Sequence, residues 1–420
     1  IESILLMLRT KVLLNNGDLS KTEIVWFYPA SMTQNRFNKF KAEWENTFAT
    51  LFGAPISNII AASESVAPYY YHKAKKGATS TVVSVDIGGG TTDVLIVDKG
   101  EPKYLTSFRF AANTIFGDGY SYDSDSNGFV NKYKDIITNQ LETNNLRGLK
   151  AVLKSVLDKR VSTDVIAFLF SLASNKEIKK EKVEINFAKM LADDNRGKYV
   201  VILFYVAIVY HIAKLMKAKG FDMPRHMTFS GNGSKVLNIL STNDATLVRL
   251  TKIIFEEIYA QSYSIDGLDI IRPANSKEST CKGGIILTPF QSQDYGEIKD
   301  MKTILIGTDN EKFADVHMTY NDVTEADLDS VVDVIKEYIE FTFKLDKKFS
   351  FYDNFDVDRS IMNKVKDLCY RDIRTYLENG LAIKKSEIAQ DGADDNLEET
   401  LFFYPLVGII NAVVRNIYQM

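Results

Sequence analysis

The stretch Asp86-Ile-Gly-Gly-Gly-Thr-Thr-Asp93 joins two apolar, β-branched runs, Thr81–Asp86 (TVVSVD) and Asp93–Asp98 (DVLIVD), and constrains the fold more than any other feature. Runs of this composition read as buried strands. Consecutive glycines between them permit positive φ angles and let backbone N–H groups approach an anion with no Cβ in the way. Lys99-Gly100 turns the chain again into a third strand near Tyr104–Phe110, which makes a β-meander around a glycine loop. In that reading Gly88, Gly89 and Gly90 cradle a phosphate, and Thr91 and Thr92 add hydroxyl donors. Asp86, at a strand end, holds Mg2+ through water or orients an attacking water. Asp86 and Asp93 flank the loop and would repel a bare phosphate, so phosphate binding there requires a metal ion.

The chain is long enough for two or three domains: it has 420 residues, 45% of them hydrophobic and 25% charged. These fractions exclude disordered, collagen-like and disulfide-scaffold classes. The formal charge of −4 offers no global basic field for nucleic acid. The two cysteines, Cys281 and Cys369, cannot build a disulfide framework, and a reducing cytoplasm is the expected location. Ile1–Leu14 lacks a signal-peptide pattern, and a chain opening on Ile1 in mid-helix reads as a fragment of a longer protein. The most apolar run, Tyr199–Ala213, is shorter than the ~20 residues of a membrane span and is expected to be a buried core helix.

Upstream of the meander, Glu23–Tyr28 (EIVWFY) and Asn58–Ala61 read as strands. A helix capped by Ser31 and Gln34 lies between them, and another begins about Glu64. Residues 128–193 are helical and charged, and a long helix from Lys198 stops at Gly220. His226–Ser230 is a strand entering Gly-Asn-Gly-Ser, Asp269–Arg272 is a short strand, and residues beyond Pro289 are mostly helical. Asp123-x-Asp125-x-Asn127-Gly128 matches half of a calcium loop, but Lys134 stands where a bidentate Glu is needed, so it reads as a polar turn. His211, inside the apolar helix, reads as a hydrogen-bonded core residue.

Asp86–Asp93 resembles the second phosphate motif of the actin and heat-shock-chaperone ATPase superfamily. The order of other segments is similar to that superfamily. Ile59–Tyr70 (IIAASESVAPYY) resembles its first connecting helix, which implies that Glu64 supports the metal. His226–Leu240 (HMTFSGNGSKVLNIL) resembles the adenosine motif, which implies that Gly231, Gly233 and Ser234 seat the nucleoside. Cys281–Leu287 (CKGGIIL) resembles the second connecting helix, with Gly283 and Gly284 at a close helix–helix contact.

The resemblance implies an α/β, actin-like (ribonuclease-H-like) fold of two lobes around a nucleotide cleft. Residues 1–79 would be the remnant of the first lobe. Residues 80–288 would be the second lobe, with a helical insertion near 120–195 and a connecting helix at 278–287 returning to the first lobe. Residues 289–420 would form a helix-rich C-terminal extension, covering the first lobe or binding a partner. The first phosphate motif is expected upstream of Ile1, because the internal look-alike Thr303–Thr308 (TILIGT) lacks its aspartate. The glycine turn reads Gly-Asn-Gly rather than consecutive glycines, and the helical extension replaces a β-rich peptide-binding domain. The implied function is a slow, Mg2+-dependent ATPase that binds ATP and ADP and acts as a conformational switch in an intact parent protein, alongside a protein partner or parent-chain domains. A filament-forming cytoskeletal or segregation ATPase and a non-catalytic scaffold on the same fold are the alternatives.

Overall fold

The computed structural model describes the chain apart from residues 30, 31, 33, 77–80, 121–126, 265–266, 274–275, 287–318, 392–396 and 398. Ser31, Asp123, Asp125 and Thr303–Thr308 therefore lie outside the described residues. The architecture is mixed α/β, with two sheets and many helices among the described residues. β1 (Ile24–Tyr28) and β2 (Ile59–Ser63) form a parallel pair, joined by the helix Gln34–Phe52.

The larger sheet contains β3 (Val82–Ile87), β4 (Thr92–Asp98), β5 (Glu101–Phe108), β6 (His226–Ser230) and β7 (Asp269–Ile271), in the order β5-β4-β3-β6-β7. The first three strands are the antiparallel meander expected from the sequence, and β6 and β7 continue it in parallel. Lys99 and Gly100 both take positive φ, 52° and 82°, as a tight hairpin turn with right-handed strand twist requires.

Both faces of this sheet are covered, which explains why β3 and β4 read as continuous apolar runs rather than alternating ones. Val83, Val85, Val94 and Ile96 face the main core, while Val82, Leu95 and Val97 face a smaller one built with Val66, Ala67, Tyr69 and Tyr70. The helix Lys198–Ala218 runs through the main core, so its length and apolar character reflect burial on all sides within the protein. It ends two residues before Gly220, which takes φ +73°.

The helix expected from Glu64 starts at Ala67 instead. Pro68 has no N–H to donate and is tolerated in the first turn of a helix, which places residues 64–66 in a turn ahead of it. The expected close contact with the helix Ser276–Ile286 is present. A Cβ at Gly283 would lie 1.8 Å from the Ala67 carbonyl oxygen, and one at Gly284 would lie 2.4 Å from the Phe27 ring. Only glycine lets these helices and β1 approach so closely.

The C-terminal helices pack against the larger sheet and the insertion rather than over β1 and β2. Phe402, Phe403, Leu406 and Val413 share one core with Val94, Phe108 and Phe110. The Phe403 ring stacks on Phe108 with centroids 4.0 Å apart and on Phe110 at 4.8 Å. His211 is buried among these rings, but its Nδ1 has no hydrogen-bond partner, so it is a core residue without the expected hydrogen bond. Asn127 caps the helix Gly128–Thr143 through Oδ1 and donates to the Phe116 and Gly117 carbonyls, which commits its side chain to the turn.

Because extension and sheet share a core, Phe403→Ala is expected to cost about 3–5 kcal/mol of global stability, as for other buried aromatic truncations. Urea unfolding followed by far-UV circular dichroism should show a single shifted transition. A sheet transition left at its original midpoint would show that the extension folds separately.

Candidate functional site

Two glycine turns meet at the carboxyl ends of β3 and β6. The parallel register places Asp86 beside Ser230, so the loop after β3 and the turn after β6 leave the same edge of the sheet side by side. Open α/β sheets bind ligands at such strand ends. The contact is between backbones. A Cβ at Gly231 would lie 2.2 Å from the Ile87 carbonyl oxygen and 2.3 Å from Asp86 Oδ1, and Gly231 has φ +79°. A Cβ at Gly233 would lie 2.2 Å from the Gly88 carbonyl oxygen. Ser234 is buried and its hydroxyl donates to the Gly231 carbonyl at 2.8 Å, closing the turn on itself.

The loop at Gly88–Gly90 meets a different constraint from the one its composition suggests. None of its glycines takes positive φ. A Cβ at Gly90 would meet nothing within 4 Å, and one at Gly89 would make only ordinary contact with the Asn113 amide at 3.6 Å. What their bareness leaves open is the approach from outside. Among the described residues, the N–H groups of Gly89, Gly90 and Thr91 have no hydrogen-bond acceptor. The Gly88 N–H closes the loop on the Thr91 carbonyl at 2.8 Å.

Strand alternation sorts the two threonines. Thr91 lies in the loop, half-buried. Thr92 begins β4 on the main-core side, is fully buried, and its hydroxyl donates to the Phe110 carbonyl at 2.7 Å. The Thr92 hydroxyl is therefore not among the loop's available donors.

On the opposite face of the sheet, cross-strand partners form a polar row of Ser230, Asp86, Asp93 and Ser107. The Ser230 hydroxyl donates to Asp86 Oδ2 at 3.1 Å. Asp93 is 2% exposed, and its Oδ1 has no hydrogen-bond partner. Burial pushes its carboxyl up to about 7, and the charges of Glu64 and Asp86 push the same way, against the neighbouring hydroxyls of Ser107 and Ser65. Glu64, half-buried in the turn after β2, reaches this row from the smaller sheet, and its N–H donates to the Tyr28 carbonyl at 3.1 Å. Among the described residues, no group of three or more His, Cys, Asp and Glu side chains is disposed to hold a metal ion.

A cavity of about 680 Å3 opens beside the glycine turns. Gly89 and Asn113 from the loop region after β3 and β5, and Asn232, Gly233, Lys235 and Asn238 from the turn after β6, line it with polar groups, while Phe116, Ile166, Phe170 and Ala188 supply an apolar wall. Its size suits a small-molecule ligand. Composition identified the two glycine turns, but not the wall contributed by the insertion or Asn113. No sequence motif marks those residues, because only the fold of the insertion brings them over the sheet edge.

No protein-family model matches the chain, and no curated protein does. Among solved structures it is similar to the ethanolamine utilization protein EutJ from Carboxydothermus hydrogenoformans, at 12% identity and a TM-score of 0.30, spanning 67% of this chain and 72% of that one. It is also similar to MreB5 of Spiroplasma citri bound to ADP, at 13% identity and a TM-score of 0.29, spanning 70% and 77%. The same protein bound to AMPPNP gives 12% and 0.28, spanning 66% and 72%.

The buried Asp93 makes stability depend on pH with a definite sign. Its folded-state carboxyl, near 7, binds a proton more tightly than the ordinary carboxyl of the unfolded chain at 3.8. The stabilisation is therefore complete below 3.8 and is lost as pH rises through about 7. Buried His211, pushed down to about 3, acts oppositely as pH falls below 6.5. The difference between parent and Asp93→Asn isolates the carboxyl. In metal-free buffer, parent stability is expected to fall relative to the variant by up to about 1.4 kcal/mol per pH unit between pH 4 and 7. Parallel stability curves from urea titrations would contradict the protonated, buried carboxyl.

Proposed function

We propose that this chain is the nucleotide-holding part of an actin-like protein, binding Mg-ATP and Mg-ADP in the cleft beside the two glycine turns and using occupancy to switch the position of its two sheets. The observation that carries this reading is the β3–β6 register, which sets the loop after Asp86 against the turn after Ser230 at the edge of one ligand-sized cavity. The antiparallel meander followed by parallel strands, and the glycine contact between the two connecting helices, support the actin-like part of the reading.

In this function the N–H groups of Gly89, Gly90 and Thr91 donate to phosphate oxygens, and the Thr91 hydroxyl is available beside them. The turn Gly231–Ser234 supports the nucleoside end, where Phe116, Ile166 and Phe170 supply an apolar wall. The unpartnered, buried Asp93 Oδ1 and the nearby charges of Asp86 and Glu64 make this edge electronegative, which fits a cation there. With no cluster among the described residues disposed to ligate a metal directly, the fit is to Mg2+ retaining its water shell and held through Asp86. When bound, Mg2+ neutralises phosphate charge. Asp86 orients a water at the loop, and Glu64 links it to the smaller sheet, so ligand at the loop biases how the two sheets sit.

A second reading, nucleotide binding without turnover, is favoured by one observation: among the described residues, Lys235 is the only charged side chain lining the cavity. Phosphoryl transfer depends on charge stabilisation of the transferring group, and a single exposed lysine supplies little of it.

Titration with Mg-ATP, Mg-ADP and Mg-GTP under thermal melting tests the proposal. At about a hundred times its Kd, a bound nucleotide should stabilise the fold by roughly 2.7 kcal/mol. Asp86→Ala is expected to remove the magnesium dependence. Gly89→Val, whose Cβ would make only ordinary contact with the Asn113 amide, should leave the ligand-free melting temperature within a degree or two while abolishing the ATP shift. A parent protein whose melting temperature ignores all three nucleotides would overturn the proposal, and phosphate-release assays on a binding-competent protein would separate turnover from a silent scaffold.

A further inference from the structure

We infer that Asn113 is the residue that reads the ligand's first phosphate, its side-chain amide donating to an oxygen of the phosphate nearest the nucleoside. This rests on the nucleotide reading above and names a residue that reading does not need.

Asn113 begins as a structural brace. After β5 the chain enters a short helix, Ala112–Phe116. The Ala112 N–H donates to the Gly88 carbonyl at 3.3 Å and the Asn113 N–H to the Gly89 carbonyl at 2.8 Å. The helix is thus bolted to the glycine loop, and its first side chains hold a defined position relative to the loop's unpaired N–H groups. The Asn113 amide lies beside Gly89, with Oδ1 3.6 Å and Nδ2 3.8 Å from the position a Cβ would take there. Among the described residues the amide makes no hydrogen bond, and it lines the cavity.

Its place along the cavity follows from helix geometry. Asn113 and Phe116 are three residues apart and share a helix face. Both line the cavity, so the amide stands by the glycine loop while the ring joins the apolar wall with Ile166 and Phe170. Asn113 therefore occupies the border between the end suited to phosphate and the end suited to a nucleoside. The chemistry fits that border. Asp86 and Glu64 make the sheet edge negative, so a phosphate there needs donors that bring no negative charge of their own. A carboxamide supplies two N–H donors and is neutral at every pH of interest. A carboxylate of the same shape at position 113 would face the phosphate with a like charge.

The test is equilibrium binding of ADP and adenosine to the parent and to Asn113→Asp, Asn113→Ala and Asn113→Lys, with ligand-free melting temperatures recorded for each. Backbone N–H bonds to Gly88 and Gly89 survive all three substitutions, so the melting temperatures should stay close to the parent's. ADP affinity is expected to rank Asp below Ala below Asn, with Asp weakened about tenfold or more and Lys equal to the parent or tighter. Adenosine affinity, which involves no phosphate, should change less than twofold across the series. Equal ADP affinity in the parent and Asn113→Asp would overturn the inference. So would a uniform loss in all three variants, which is the signature of a purely structural role. A parent that binds neither ADP nor ATP would overturn the nucleotide reading itself and this inference with it, whereas ADP binding indifferent to position 113 would sink only the latter.

Discussion

Everything at the candidate site depends on the parallel pairing of β3 with β6. That ladder sets Asp86 opposite Ser230 and brings two turns distant in sequence into backbone contact. The contact tolerates no side chain at Gly231 or Gly233, where a Cβ would sit 2.2 Å from a carbonyl oxygen of β3 or its loop. Glycine is thus required at the second turn by sterics and by φ, whereas at the first turn it serves to leave backbone donors uncovered. Two glycine-rich segments that look alike in composition do different physical work.

The sheet is buried on both faces, and the helices packed around it are tied together by a polar node. Asp194, 5% exposed, accepts from Tyr133 and Tyr418, pairs with Lys132 at 2.9 Å, and accepts the N–H groups of Arg196 and Gly197. Burial alone would raise its carboxyl, but these hydrogen bonds, led by the one from Tyr418, together with the nearby Lys132 charge, hold it below the usual carboxylate range. The node ties the helix Gly128–Thr143, the start of the helix Lys198–Ala218 and the C-terminal turn into one body. Arg109, just past β5, does the same for the extension by pairing with Glu399 at 3.0 Å and with Glu387.

Asp93 contrasts with that node. Asp194 has every lone pair answered, whereas Asp93 is as deeply buried with one oxygen unanswered and like charges beside it. An isolated buried carboxylate is costly unless it is protonated or paired. Asp93 lies opposite Asp86 across the β3–β4 ladder, and a buried carboxyl perturbed in this way marks a candidate site rather than a stabilising contact.

Much of this was legible in the residues. The meander, the hairpin at Lys99-Gly100, the strand His226–Ser230 and the stop at Gly220 follow from β-branched runs, turn chemistry and glycine placement, which are local properties, whereas the close glycine contact of the helix Ser276–Ile286 was implied only by the resemblance of its sequence to a known connecting helix. Strand parity alone also carries the fate of Thr92: adjacent residues on a strand face opposite ways, so Thr92 and Asp93 cannot both serve the same side. Other features were beyond local reading. The start at Ala67 of the helix after β2 turned on Pro68, the docking of Phe403 onto Phe108 and Phe110 on long-range packing, and the roles of Asn113, Ile166 and Phe170 on how the insertion folds back over the sheet edge. A sequence by itself determines which segments are strands and where backbone can come close, because those depend on side-chain shape and φ. Which loops share an edge, and therefore which residues meet a ligand, is decided by strand order and register, and these are set only when distant segments compete for one core.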